Sequence, residues 1–215
     1  MRVRFDEQLA QMKDELSRMG AFCEQAIALA AKALLDNNDP LAHEAIQVDK
    51  EIDQMERDIE NLCLKLLLRQ QPVARDLRQI SAALKMITDM ERIGDQASDI
   101  AEITLLLDKK NAVMPAHISD MAAGAIHMVN DSVDAYVKQD LNLAHSVIEY
   151  DDVVDDLFVQ IRKELIDRIA AAPACGDEAL DLLMIAKYLE RIGDHATNIA
   201  EWVEFSILGH HPQGE

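Results

Sequence analysis

The chain has 215 residues, enough for one large domain or two of about 100 residues each, and 49% hydrophobic with 28% charged residues excludes disorder. Only 4% of residues are aromatic, with 7 Gly and 5 Pro, which argues against sandwiches and barrels and for an all-α chain. Lys and Arg number 21 against 40 Asp and Glu, and a net charge of −19 repels nucleic-acid phosphates and anionic lipid headgroups.

Prolines punctuate the helical pattern: Pro40, Pro72, Pro115, Pro173 and Pro212 each stand where an apolar period breaks. Between them apolar residues recur at i, i+3, i+4 and i+7, as in Leu77, Ile80, Leu84 and Ile87 or Ile161, Leu165 and Ile169. The pattern predicts six amphipathic helices, at 2–36, 41–69, 74–109, 116–139, 142–170 and 177–208. The break at Lys138-Gln139-Asp140 alone lacks a proline.

The opening MRVRFDEQL has no apolar signal region, and no apolar run approaches the ~18 residues of a membrane span. Cys23, Cys63 and Cys175 are isolated thiols without a CxxC, which fits a reducing compartment. A cytoplasmic location is the expectation.

An internal repeat organises the chain. Leu41-Ala42-His43 and Asp49-x-x-Ile52-Asp53 recur 102 residues later as Leu143-Ala144-His145 and Asp151-x-x-Val154-Asp155. Glu91-Arg92-Ile93-Gly94-Asp95 recurs 99 residues later as Glu190-Arg191-Ile192-Gly193-Asp194. A three-residue deletion near the Pro72 and Pro173 loops accounts for the change of offset. The expected architecture is two tandem three-helix bundles related by internal duplication, at 1–110 and 111–215, since short connections make neighbouring helices antiparallel. End-to-end and side-by-side packing of the bundles both remain open.

On a helix of 3.6 residues per turn, Asp95, Asp99 and Glu102 fall about 40°, 80° and 20° from Glu91, so four carboxylates share one stripe. Asp49, Asp53, Glu56 and Glu60 make a second stripe on the preceding helix. Like charges at i, i+4 destabilise a helix by a few tenths of a kcal/mol each, and facing stripes compound that unless a cation lies between them. Hard cations take carboxylate ligands from neighbouring helices. The competing reading is a solvated acidic face, because Met90, Ile93, Ala97 and Ile100 lie on the opposite side of the wheel. Gly94 and Gly193, each about 1 kcal/mol worse than Ala in a helix, call for close helix approach or ion access beside the acids.

Histidines weaken any enzymatic reading. A di-iron oxidase needs Glu-x-x-His on two helices, and none occurs: three residues after Glu91 and Glu190 stand Gly94 and Gly193. Nucleophilic triads and phosphate-cradling glycine loops are also absent. His43 and His145 read as helix-start or packing residues, and the segment from Arg69 to Arg78 as a solvated turn.

With both E-R-I-G-D motifs, the Arg-Gln-Gln-Pro turn and the duplicated plan in view, residues 5–208 resemble the PhoU family, accessory regulators of phosphate-specific transport. The resemblance implies a negative regulator of phosphate uptake and phosphate-starvation signalling, not an enzyme, and a cytoplasmic homodimer. It implies two partners, the ATPase subunit of the phosphate transporter and a sensor histidine kinase, with the membrane reached only through them. It also implies multinuclear metal clusters, of iron or zinc, with manganese or magnesium as alternatives.

Carried over by position, the family's E/D-x-x-x-D motifs are Asp49 and Asp53, Glu91 and Asp95, Asp151 and Asp155, and Glu190 and Asp194. Asp99 completes the first set, and Asn198 stands at its place in the second. Glu56 and Glu60 correspond to Phe158 and Arg162, so two related but unequal sites are expected. A metal store or structural helical protein without a regulatory role is the alternative, ahead of a carboxylate-bridged metal enzyme.

Overall fold

The computed structural model describes residues 2–70, 72–107 and 114–210. They form six α-helices: α1 Arg2–Asp36, α2 Asp39–Gln70, α3 Ala74–Leu106, α4 Ile118–Lys138, α5 Leu141–Ala171 and α6 Gly176–Leu208. A single 3-10 turn, Pro173–Cys175, precedes α6. The expected end of the third helix at 109, the bundle boundary at 110/111, Gln71 and Pro212 lie outside the described residues.

Most helix ends fall within two residues of the expectation. Helix α2 starts at Asp39, so Pro40 lies inside its first turn, where a missing N–H leaves no helical bond unmade. The break without a proline has its own chemistry. Gln139 ends α4 in the left-handed region at φ 54°, and the Asp140 carboxylate caps α5 by accepting from Asn142 N at 3.0 Å and Leu143 N at 3.1 Å. The α1–α2 turn repeats this design 102 residues earlier: Asn37 has φ 52°, and Asn38 Oδ1 accepts from Leu41 N at 3.4 Å. Turn geometry was duplicated with the helices.

Helices α1, α2 and α3 pack on one another, as do α4, α5 and α6. The bundles lie side by side, with α3 along α6 and α1 against α4. One apolar core, including Met12, Leu16, Ile52, Met90, Val154 and Ile192, runs through both. Hydrogen bonds cross the seam as well: Tyr136 Oη donates to the Gln79 carbonyl at 2.7 Å, and Gln79 Nε2 donates to Gln139 Oε1 at 3.0 Å. Cys23 and Cys63 are buried free thiols, both pushed above the usual thiol range chiefly by burial, and act as small core residues. No helix among the described residues is long and apolar enough to cross a membrane.

Candidate metal centre

Ile52 and Ile59 on α2, and Ile93 and Ile100 on α3, are buried. Burying them sets the rotation of both helices and brings the acidic stripes to the seam between α2 and α3. The stripes therefore meet along the seam, with Asp49, Asp53, Glu56, Glu91 and Asp99 partly buried and Glu60, Asp95 and Glu102 open to water. One carboxylate oxygen each from Asp49, Asp53 and Asp95 lies within 4.8 Å of the others. Ligands on opposite sides of one hard cation stand on the order of 4–5 Å apart, so the three oxygens match a shared ion.

Gly94 creates this closeness. A Cβ there would lie 2.8 Å from Asp49 Oδ1 and 3.0 Å from Ile52 Cδ1. Without it, the Asp49 carboxylate reaches the α3 backbone, and Asp49 Oδ1 is buried with no hydrogen-bond partner. An ionised oxygen held dry and unpartnered is unfavourable unless a cation completes it. This orphaned atom, the gap kept by Gly94 and the all-carboxylate donors fit a divalent metal ion. Gly94→Ala is expected to destabilise by about 1–2 kcal/mol, because the methyl group must displace both the Asp49 carboxylate and the fully buried Ile52, whose Cγ2 would lie 3.3 Å away, against a gain in helix propensity. Metal affinity should fall about 10- to 100-fold, measurable by calorimetric titration.

The carboxylates raise one another's proton affinity. Burial, then Asp95, Asp53 and Asp99, push Asp49 up to about 6. Burial, then Asp95, Glu56 and Asp53, push Glu91 up to about 7. Asp95 rises through burial, Asp53 and Asp99, and Glu56 through burial, Glu60 and Asp53.

These shifts set a pH dependence for the metal-free chain. Asp49 and Glu91 bind protons more tightly folded than unfolded, so the stability they contribute is complete below about pH 4 and is lost as pH rises through about 6 to 7. Solvent screening on the open side of the seam brings the combined effect to about 1–2 kcal/mol. In chelator the melting temperature should therefore fall between pH 4.5 and 7.5, ranges of buffer chosen to bracket roughly that window. A rise over the same interval would overturn the electrostatic account.

The second repeat builds a related seam between α5 and α6. Gly193 takes the place of Gly94, and a Cβ on it would lie 3.2 Å from Asp151 Oδ1. Burial, then Asp155, Asp194, Asp152 and Glu190, push Asp151 up to about 6. Burial and Glu190 raise Asp155, while Lys187 opposes them. Among the described residues, only the first seam gathers three ligand oxygens within 4.8 Å.

Two predicted site residues have other partners. Asp99 faces Tyr188 on α6, whose phenol is pushed up by burial and then by the Asp99 charge, and that charge also reaches Asp49 and Asp95. Asn198 Nδ2 donates to Asp89 Oδ1 at 3.1 Å, and His195 Nδ1 lies 2.9 Å from the same oxygen. Asp89 and Tyr188 are repeat equivalents, each reaching across the α3–α6 contact to the position of Asn198 or Asp99 in the other bundle. Histidine 145 pairs with the buried Glu204, linking α5 to α6. The sequence signal for His195 is that Gln96 and His195, like Asp89 and Tyr188, break the repeat together.

A family model described as the PhoU domain matches residues 16–104 and again residues 118–203. The chain belongs to the PhoU family. Each match to the PhoU domain covers one bundle and one acidic seam. A relative from Clostridium acetobutylicum, named phosphate-specific transport system accessory protein PhoU homolog, is 38% identical over 207 residues, spanning 95% of this chain and 94% of its own length. The crystal structure of PhoU from Pseudomonas aeruginosa superposes with a TM-score of 0.91 at 34% identity, covering 96% of this chain and 100% of that one. That of the phosphate transport system regulatory protein PhoU from Streptococcus pneumoniae gives 0.89 at 25% identity, covering 98% and 100%. The side-by-side pair of bundles is thus the PhoU fold.

Proposed function

We propose that this chain is an accessory regulator of phosphate transport that represses phosphate uptake and phosphate-starvation signalling, acting as a metal-binding helical adaptor between the phosphate transporter's ATPase subunit and its sensor histidine kinase. The observation that carries the regulatory part is similarity over nearly the whole chain to proteins named as phosphate-transport accessory proteins. The absence of Glu-x-x-His and of nucleophilic motifs supports a non-enzymatic role. The adaptor is cytoplasmic and homodimeric in this reading.

Asp49, Asp53, Glu91 and Asp95, with Asp99 beside them, would hold metal at the first seam; Asp151, Asp155, Glu190 and Asp194 would do so at the second. Bound metal supplies the positive charge that lets these carboxylates ionise together. Carboxylate donors accept iron, zinc, manganese or magnesium, with availability deciding among them. With that charge in place the carboxylates would tie α2 to α3 and α5 to α6 at fixed spacing, shaping the surface a partner would meet.

Deleting the gene and measuring phosphate-starvation transcripts in phosphate-rich medium tests the regulatory role. Transcripts should be high in the deletion and return to low on complementation. Unchanged transcripts would defeat the regulatory reading and leave a metal store or structural protein.

A further inference from the structure

The two seams descend from one repeat unit but differ at a facing pair of positions. In the first, Glu56 on α2 stands beside Thr88 on α3, and the charges of Glu60, Asp53 and Glu91 crowd around it. In the second, Phe158 replaces Glu56 and Lys187 replaces Thr88. The Lys187 ammonium pairs with Glu190, lies 5.5 Å from the centre of the Phe158 ring, and acts on Asp155. Glu190 and Asp155 are the equivalents of Glu91 and Asp53.

Exchanging a carboxylate for a ring, and a hydroxyl for an ammonium, makes this corner two charge units more positive. That is the charge of one divalent cation. Neighbouring differences divide: Arg162 stands at the place of Glu60 and Asn198 at that of Asp99, but Asp152 at that of Lys50 and Asp156 at that of Gln54, so the gain of positive charge is confined to the corner of Phe158 and Lys187. The aromatic face favours the ammonium further, as cations bind the negative face of a ring. Lys187 side-chain exposure is 43%, against 14% for Glu190, so the ammonium lies at the mouth of the seam with its partner inside.

We infer that Lys187 is a built-in cation of the second seam, holding a position that metal would fill in the first, so that the two seams load unequally and the second is settled without metal there. The inference rests on the reading that the seams bind metal. It assigns the first seam as the main metal site and the one whose local structure depends on metal supply. The second keeps its shape when metal is scarce.

Zinc uptake by the full-length protein tests this, with zinc measured by elemental analysis after chelator stripping, reloading with Zn²⁺ and gel filtration. In a chain carrying Asp49→Ala, Asp53→Ala and Asp95→Ala, the second seam remains, and it should hold less than half the zinc of the wild type. Adding Lys187→Thr and Phe158→Glu to that chain should raise the content by about one zinc per chain, matching the two charges exchanged. In chelator, Lys187→Thr alone should lower the melting temperature by about 2–4 °C, and this half-exposed position permits folding. The reciprocal pair, Glu56→Phe with Thr88→Lys, should raise it.

Equal zinc in both seams, no gain from Lys187→Thr with Phe158→Glu, or an unchanged melting temperature for Lys187→Thr in chelator would each overturn the inference while a zinc-loaded wild type leaves the metal reading standing. A wild type that takes up no zinc overturns both.

Discussion

Replacing Asp53 and Asp95 together by alanine is expected to empty the first seam of metal and, in chelator, to make the protein melt higher. Both changes follow from one geometry. Oxygens of Asp49, Asp53 and Asp95 lie within 4.8 Å of one another, with Asp49 Oδ1 dry and unpartnered. Removing two of the three carboxylates whose oxygens lie together should weaken binding by more than about 100-fold, beyond the loss seen for outer-shell partners. Without metal the same two carboxylates only repel Asp49 and Glu91. Their removal should stabilise the metal-free chain by about 1–2 kcal/mol, or roughly 2–8 °C for a protein of this size. Elemental analysis and calorimetric melting in EDTA read the two effects. Undiminished metal would move the ligands elsewhere, and a lower melting temperature in EDTA would mean that the acids stabilise the seam by some other contact.

Tyr136→Ala should be the most destabilising single change at the joint between bundles. Tyr136 is fully buried on α4, and its hydroxyl donates to the Gln79 carbonyl on α3. Burial pushes the phenol far above its usual range, so it stays protonated and a donor at any ordinary pH. Truncation to alanine empties a large volume in a continuous core, which costs about 3–5 kcal/mol. Tyr136→Phe keeps the volume and loses one hydrogen bond, about 1 kcal/mol. Urea denaturation of both variants separates packing from hydrogen bonding. An alanine variant within about 1 kcal/mol of the wild type would show that the bundles are held together elsewhere.

The helices were readable because their signal is local. Apolar residues three and four apart mark the buried stripe whatever the partner, and prolines mark the breaks. Where proline was absent, left-handed Gln139 and the Asp140 cap supplied the stop, a device also built at Asn37 and Asn38. The acidic motifs were readable for the same reason, since four-residue spacing puts Asp49 with Asp53 and Glu91 with Asp95 on common faces. Which alternative those faces served was not readable. A stripe opposite the apolar side can meet water or another stripe, and only the packing of α2 on α3 brought three oxygens together.

Cross-helix partners were the least legible. Lys187 carries no motif in the sequence; its meaning depends on Phe158 meeting it from α5 while it pairs with Glu190 one turn along α6. Asn198 looked like a weakened copy of Asp99, yet its amide serves Asp89 on the other bundle, 109 positions away. Contacts of that range leave no periodic trace.

From residues alone came the all-α class, the duplication, and the placing of four carboxylate pairs on repeated helices, because each is written in spacings of a few residues or in a plain recurrence. The tertiary structure decided that the bundles lie side by side on one core, that the acidic stripes meet along a seam, and that one seam gathers its oxygens while the other carries a lysine. Those outcomes turn on which helix faces which, and burial of apolar surface drawn from the whole chain sets that choice.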